Sequence, residues 1–491
     1  MEIAFGEWLP DLPDYNNPGA TVVKNCLPAG NSYRSMSDIE VYSSALTARC
    51  QGAFSAKDSA GNTSNFAGDA SKLYKLSAGT YSDVSKVGGY TVSIDEQWAF
   101  TKFGERIIAA NINDAMQSYV LGSSSAFADL SASAPKARCL AVVGSFVFAA
   151  NTFDTSDGLV PHRLRNCAIG DPTTWTVSAS TQANYYDLNA TDGWIKQIVS
   201  GVYGVAFQER AISRFDFIGG ASPFQISKVE TNKGTLAPGS VVKLGNMIAY
   251  LGLDGFYMFD GNQSIPIGVN KVDRTFLAEL DTSYLDRIYA CIDFDNQCIR
   301  WAYPPNGSNG ICTRVIIYHY APNAQKRWSY SDNFSLEWIG NLFSEGYTLD
   351  TLDTVSASLD ALSFSLDSRV WTGNDILLAG FNTDHKQVNF TGSAITATIE
   401  TQEVQPFMPS KTNVKRLRPI VDGSGTTTLA VGTRNLLSDS TTWGSALSTD
   451  TFGYCTTRAH GRYIRGRATI SGGFNDAIGM ELVEFSKAGI R

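Results

Sequence analysis

The sequence predicts an all-β protein: a β-propeller of six or seven blades, with an extended N-terminal arm before it and a small C-terminal β-sandwich after it. Three observations predict this. Of 491 residues, 44 are Gly, 21 Tyr and 26 Phe, and Ser, Thr and Asn are abundant, a composition of many short strands and many turns. The stretch GNMIAYLGLDGFYMFDGN, residues 245–262, reads as strand, tight turn, strand, tight turn, because Asp-Gly supplies positive φ and Ile, Tyr and Phe suit strands. That stretch also belongs to a repeat. GERIIAANIND from Gly104 and GSFVFAANTFD from Gly144 share Gly, Ala-Ala-Asn and a final Asp in register, 40 residues apart, and units of the same grammar start at Gly201 and Gly245, 44 apart. Periods of about 40–45 residues with several strands each mark propeller blades, which must stack because one blade alone cannot bury both its faces.

The elements follow in chain order. Residues 1–37 are rich in Pro, Gly and Asn and read as an arm. Phe5, Trp8, Leu9 and Leu12 have no local core there and are expected to pack on a neighbouring subunit or a partner ring. Residues 38–390 are assigned to the propeller, with EVYSSALTARCQGAFSAKDSAGNTSNFAGDASKLYKLS (40–77) compatible with a first blade. Downstream, DRIYACIDFDNQCIRWAYPP (286–305) reads as a hairpin turning at Asp295-Asn296, TRVIIYHYAPNAQKRWSYS (313–331) as another, and SRVWTGNDILLAGF (368–381) as a third. LDTVSAS, LDALSFS and LDSRVWT (352–372) form three seven-residue units. Their Leu and Val spacing suits a short helix and their Ser and Asp content suits a winding loop, and both readings stand. Residues 391–491 carry strand patterns such as TTTLAVGTR and GRYIRGRATISG and are assigned to a C-terminal antiparallel β domain.

Composition and motifs narrow the function classes. A net charge of −8 argues against a sequence-independent nucleic-acid binder. The N-terminus has no signal-peptide pattern, and no apolar run reaches membrane-spanning length. The eight cysteines include no CxxC pair and are expected to be reduced and mostly buried. The four histidines stand far apart with no metal-ligand spacing, and phosphate-cradling loops and nucleophile elbows are absent from the sequence. No catalytic residue, cofactor or metal is therefore expected. AIGDPTTW (168–175) lacks the Ser-Asp-Gly order of a sialidase turn and reads as a plain turn begun by Gly-Asp-Pro. RAHGRYIRGR (458–467) concentrates Arg458, Arg462, Arg465 and Arg467, and Lys411, Lys415, Arg416 and Arg418 form a weaker cluster. Strand alternation puts Arg465 and Arg467 on one face, to meet a partner's carboxylates, a phosphate, or solvent.

Several stretches, in this order, carry a family resemblance: FGEWLPDLPDYNNPG followed by KNCLPAGNSYRSM; RLRNCAIGDPTTW; AFQERAISRFDFIGGASPFQISKVETNKGTLAPGSVV with DGFYMFDG and PIGVNKVDRTF; and LDTVSAS/LDALSFS before WTG. In these the chain resembles the tail nozzle proteins (tail tubular protein B) of short-tailed bacteriophages and the related packaged-DNA stabilisation proteins. The last hundred residues match least. The resemblance implies a non-enzymatic virion protein of the phage tail, made in the host bacterial cytoplasm. It implies a homo-oligomeric ring, expected to be six-fold, below the portal and the tail adaptor or head-to-tail connector proteins. Its sides would carry tail fibres or spikes, and its channel would retain the genome and then pass double-stranded DNA without sequence-specific binding. The competing expectation is a propeller glycosidase or depolymerase acting on host surface glycan, which would need a carboxylate pair about 5–10 Å apart in a cleft.

Overall fold

The computed structural model describes residues 1–345 and 373–489. The seven-residue repeats at 352–372 lie outside the described residues. Seven four-strand antiparallel units account for most of the chain between residues 40 and 389. Blade 1 runs from Ala53–Lys57 to Thr80–Asp83, blade 2 from Ala99–Phe103 to Ala128–Asp129, and blade 3 from Lys136–Val143 to Asn184–Asp187. Blade 4 runs from Ile195–Val199 to Phe224–Thr231, blade 5 from Val242–Leu244 to Ser264–Pro266, and blade 6 from Tyr289–Asp293 to Trp328–Ser331. Blade 7 takes Leu336–Phe343, Ile376–Asn382 and Lys386–Asn389 from late in the chain, and its fourth strand, Glu40–Ala45, from the start. The two hairpins predicted at 286–305 and 313–331 are the two halves of blade 6.

The repeated glycine has a geometric cause. Gly104, Gly144 and Gly245 each open the two-residue turn between the first two strands of their blade, at φ +59°, +57° and +59°. The residue after each has negative φ, the type II′ pattern, whose first central position is Gly's. The apolar runs that follow are nearly continuous because both blade faces are buried. Ile107 and Ala109 of blade 2 face Phe66 and Leu73 of blade 1, while Ile108 and Ala110 face Val147 and Ala149 of blade 3. Phe148 of blade 3 turns to Ile198 and Phe215 of blade 4, and Phe207 of blade 4 to Tyr250 of blade 5. Leu251 of blade 5 joins the core of Trp301 in blade 6, and Ile317 of blade 6 meets Ile339 and Val388 of blade 7. Leu377 and Phe381 of blade 7 pack with Ala67 and Tyr74 of blade 1, which closes the propeller at seven.

The C-terminal residues form two sheets face to face. One contains Cys26–Ala29, Ser32–Ser35, Phe474–Lys487, Thr412–Gly423 and Cys455–Gly461 in spatial order, with Glu2–Ala4 also paired to Phe474–Lys487. The other contains Val22–Lys24, Ala397–Glu400, Tyr463–Ser471 and Thr426–Arg434. Val22–Lys24 also pairs in parallel with Trp328–Ser331, so blade 6 and this sheet are one continuous ten-stranded sheet.

The arm therefore has a different partner from the one expected. It is extended, but it completes the sandwich of its own chain. Phe5 (0% exposed) and Trp8 (7%) share a core with Met480 and Leu482, Trp8 lies 4.8 Å from the Tyr330 ring, and Leu9 and Leu12 are half-buried in the same chain. Sandwich sheets short of strands leave apolar faces open, and these residues fill them. Farther along, Asp11 caps the one α-helix among the described residues, Asp273–Glu279, from a distance of 263 residues in sequence. Its carboxylate accepts from the backbone N–H groups of Arg274 (2.9 Å) and Thr275 (2.8 Å), and Lys271 pairs with Glu7 at 2.9 Å.

Asp273, beside this joint, yields a testable pH dependence. Its Oδ1 accepts from Phe256 N–H at 3.1 Å, but its buried Oδ2 has no hydrogen-bond partner, and Gly255 and Gly268 crowd it so closely that a Cβ on either would come within 2.2 and 2.0 Å. Burial pushes its carboxyl up to about 6, with the Asp11 and Asp254 charges adding to the effect. A raised carboxyl stabilises the fold below its unfolded value, and that contribution disappears as pH rises through about 6. Asp273→Asn should raise stability at pH 7.5 by about 2 kcal/mol, and the gain should shrink towards about pH 4 in thermal melts followed across that range.

Candidate functional site

The structure separates the predicted arginines into two groups. Arg465 is 6% exposed and pairs with Asp14 of the arm at 2.9 Å. Arg467, on the same strand face, pairs with Glu400 at 2.6 Å and stacks 3.9 Å over the Trp443 ring. Alternation correctly placed these two together, but that face meets the chain's own arm and strands, so neither is free for a partner. Arg462 is half-buried. Arg458 is exposed and takes no ion pair among the described residues.

Arg458 lies on Cys455–Gly461, the terminal strand of its sheet, and that strand pairs with Thr412–Gly423. The pairing brings the second, weaker basic cluster beside the first: Asn413 opposes His460, and Arg416 opposes Thr456. Lys415, Arg416, Arg458, Asn413, Thr456 and Glu484 line a depression of about 480 Å³. Lys415 reaches Glu484 at 3.2 Å and Arg418 reaches Glu481 at 2.8 Å, both as exposed pairs, which typically contribute only about 0–1 kcal/mol. Arg416 stacks 5.3 Å over Tyr454. Two motifs some forty residues apart in sequence thus form one basic face.

A second site, absent from the sequence reading, sits where the inner strands of several blades begin. Asp95, Glu96, Arg138, Trp194, Lys196 and Asp286 surround a cavity of about 190 Å³. Arg138 grips Glu96 with bonds of 2.6–3.0 Å and donates to Asn151 Oδ1 at 2.9 Å. Asn151, the Asn of the Ala-Ala-Asn repeat, has φ +54° and donates to the Ile195 carbonyl at 3.0 Å, so the repeat's polar residue ties blade 3 to blade 4. Trp194 is 44% exposed, with Arg138 and Lys196 each 5.6 Å from its ring. The Asp286 carboxylate takes no hydrogen bond or ion pair among the described residues, and burial pushes it above its ordinary value. These residues share one position, the entry to a blade's first strand, and comparing that position across the repeats was the signal available in the sequence.

A third concavity, about 670 Å³, lies along blades 2 and 3 and holds several carboxylates. Arg163 pairs with Asp157 and, at 2.7 Å, with Asp187, and Arg165 pairs with Asp154 at 3.1 Å. The hydrogen bond from Arg163 holds Asp187 below the usual carboxylate range despite its partial burial. Near this groove the Gly-Asp-Pro turn ends in Trp175, which is fully buried between blades 2 and 3 and donates to the Pro172 carbonyl at 2.7 Å. All eight cysteines are buried and free, and no group of three metal-ligating side chains occurs among the described residues. No helix among them is long and apolar enough to cross a membrane.

No family model and no curated protein sequence matches the chain. Among solved structures, the computationally designed Ika8 protein is similar over 75% of this chain and 99% of its own, at 9% identity and a TM-score of 0.37. The Pan2 WD40 domain of Neurospora crassa is similar over 72% of this chain and 94% of its own, at 8% identity and a TM-score of 0.38.

Proposed function

We propose that the chain is a structural ring subunit of a short phage tail nozzle, seated below portal and adaptor, which retains the packaged genome and conducts DNA during ejection. The observation that carries this reading is the tying of both chain ends into one body. The arm supplies strands to both sandwich sheets, and the same arm runs the sheet of blade 6 into the sandwich. A subunit that holds back pressurised DNA needs such a rigid scaffold, and the ordered family-like stretches along the chain point to that setting. The acidic balance supports it as well, since a conduit for a polyanion must not bind it tightly.

The glycan-hydrolase reading has the groove of blades 2 and 3 as its place. A glycosidase acid must keep its proton near neutral pH, and Asp129, which lines this groove, is held in the opposite direction by hydrogen bonds from Lys86 and Gln117. Deleting the gene and imaging the particles by negative stain tests the proposal. The expected result is loss of a ring from the short tail together with emptied heads. Filled, tailed particles lacking the protein would overturn it.

A further inference from the structure

Charge is segregated along this chain. Residues 38–390 hold 26 Lys and Arg against 35 Asp and Glu, a net −9, while residues 391–491 hold 11 against 8, a net +3. The positive surplus of the C-terminal unit is concentrated on one exposed sheet face, at Lys415, Arg416, Arg418 and Arg458. Arg458 has no ion pair among the described residues, and Arg416 has only the Tyr454 ring.

We propose that this basic face docks on the acidic propeller of a second copy of the chain, head to tail, an inference that rests on the ring reading above and gives it a contact surface. Cations outnumber the carboxylates Glu481 and Glu484 on this face, so like faces meeting across a two-fold axis would repel on balance. The attractive arrangement sets the basic face of one copy on the acidic unit of the next, and such a heterologous contact generates a ring when its rotation closes. Glu481 and Glu484 stand among the cations of this face. A mosaic of both signs fits protein side chains better than the uniform negative charge of a phosphate backbone. The edge position of Cys455–Gly461 leaves the Arg458 side of the face open to a neighbour.

The test is sedimentation velocity of the full chain at about 0.05 and 0.5 M salt, beside the double variant Arg416→Glu/Arg458→Glu and the single variant Lys411→Glu. Melting curves alongside establish that the variants remain folded. The expected result is assembly at low salt, weakening at high salt, and self-association at least about tenfold weaker in the double variant, with a smaller loss in Lys411→Glu. Assembly that is indifferent to salt and to both variants would overturn this surface while leaving a ring-forming subunit in place. A wild-type chain that stays monomeric at both salts would overturn the surface and the ring reading together. Unchanged assembly with loss of binding to a short DNA duplex in the variants would reassign the face to nucleic acid.

Discussion

Deleting residues 1–37 should leave a folded propeller attached to an unfolded C-terminal unit. The arm carries Glu2–Ala4, Val22–Lys24, Cys26–Ala29 and Ser32–Ser35, which pair into both sandwich sheets, and Ile3, Phe5, Trp8, Val23 and Tyr33 lie in the core they enclose. Replacing Phe5 alone by Ala should cost about 3–5 kcal/mol, a large part of the roughly 5–15 kcal/mol that stabilises a typical domain. Losing all five at once exceeds that range. The blades keep their closing strand, Glu40–Ala45, so they persist. Limited proteolysis of the truncated protein should therefore release fragments from residues 391–491 and spare blades 1 to 6. A truncated protein that melts in one transition at the wild-type temperature would show that the sandwich stands without the arm.

Arg300→Met should be among the most damaging single substitutions, costing about 3–5 kcal/mol. Arg300 (3% exposed side chain) and Asp293 (6%) form an ion pair inside blade 6, with the guanidinium also 5.2 Å from the Phe390 ring. Burial alone pushes the Asp293 carboxyl up, but the Arg300 charge and hydrogen bonds from Asn296 outweigh it and hold the group below its ordinary value. A depressed carboxylate stabilises the fold above its unfolded value, near about pH 4, and the contribution is lost as pH falls through the folded value. Without Arg300 the carboxylate is buried and uncompensated at neutral pH. The deficit should therefore be largest near pH 7 and shrink below about pH 4 in urea titrations. Adding Asp293→Asn to the variant should recover much of the loss, because both partners of the pair are then neutral. If the single variant unfolds at the wild-type midpoint at pH 7, the pair contributes nothing.

The parts of this fold that were legible in the sequence are those decided locally. Gly104, Gly144 and Gly245 could be aligned because a two-residue turn requires positive φ at a fixed place in each blade. The blade total was less clear, because blade 7 borrows Glu40–Ala45, which lies at least 291 residues (336 − 45) before its other strands. The arm hid its strands for a related reason. They are three or four residues long, one contains Pro28, and apart from the hairpin of Cys26–Ala29 with Ser32–Ser35 their partners lie far along the chain. Phe5 and Trp8 looked unpartnered only because no local partner exists. Arg465 and Arg467 were placed on the correct common face, but nothing in their neighbourhood announced that Asp14 and Glu400 would cover it. Asp95, Arg138, Trp194 and Asp286 form no contiguous motif, and they meet around their cavity only through the closure of the blades.

The interweaving of the two ends sets an order for synthesis. Apart from the hairpin of Cys26–Ala29 with Ser32–Ser35, the strands within residues 1–45 are made before their partners, which lie between Trp328 and Lys487. Blades 1 to 5 can collapse on one another as they emerge, whereas the arm must wait, open-edged, for strands between Trp328 and Lys487. Contacts of such long sequence separation slow the final step. A chain that lacks Phe474–Lys487 leaves Glu2–Ala4 and Ser32–Ser35 without the strand they pair with. Such fragments are the ones a cell's proteases and chaperones would meet, so pairing with Phe474–Lys487 separates chains that have reached that strand from those that have not.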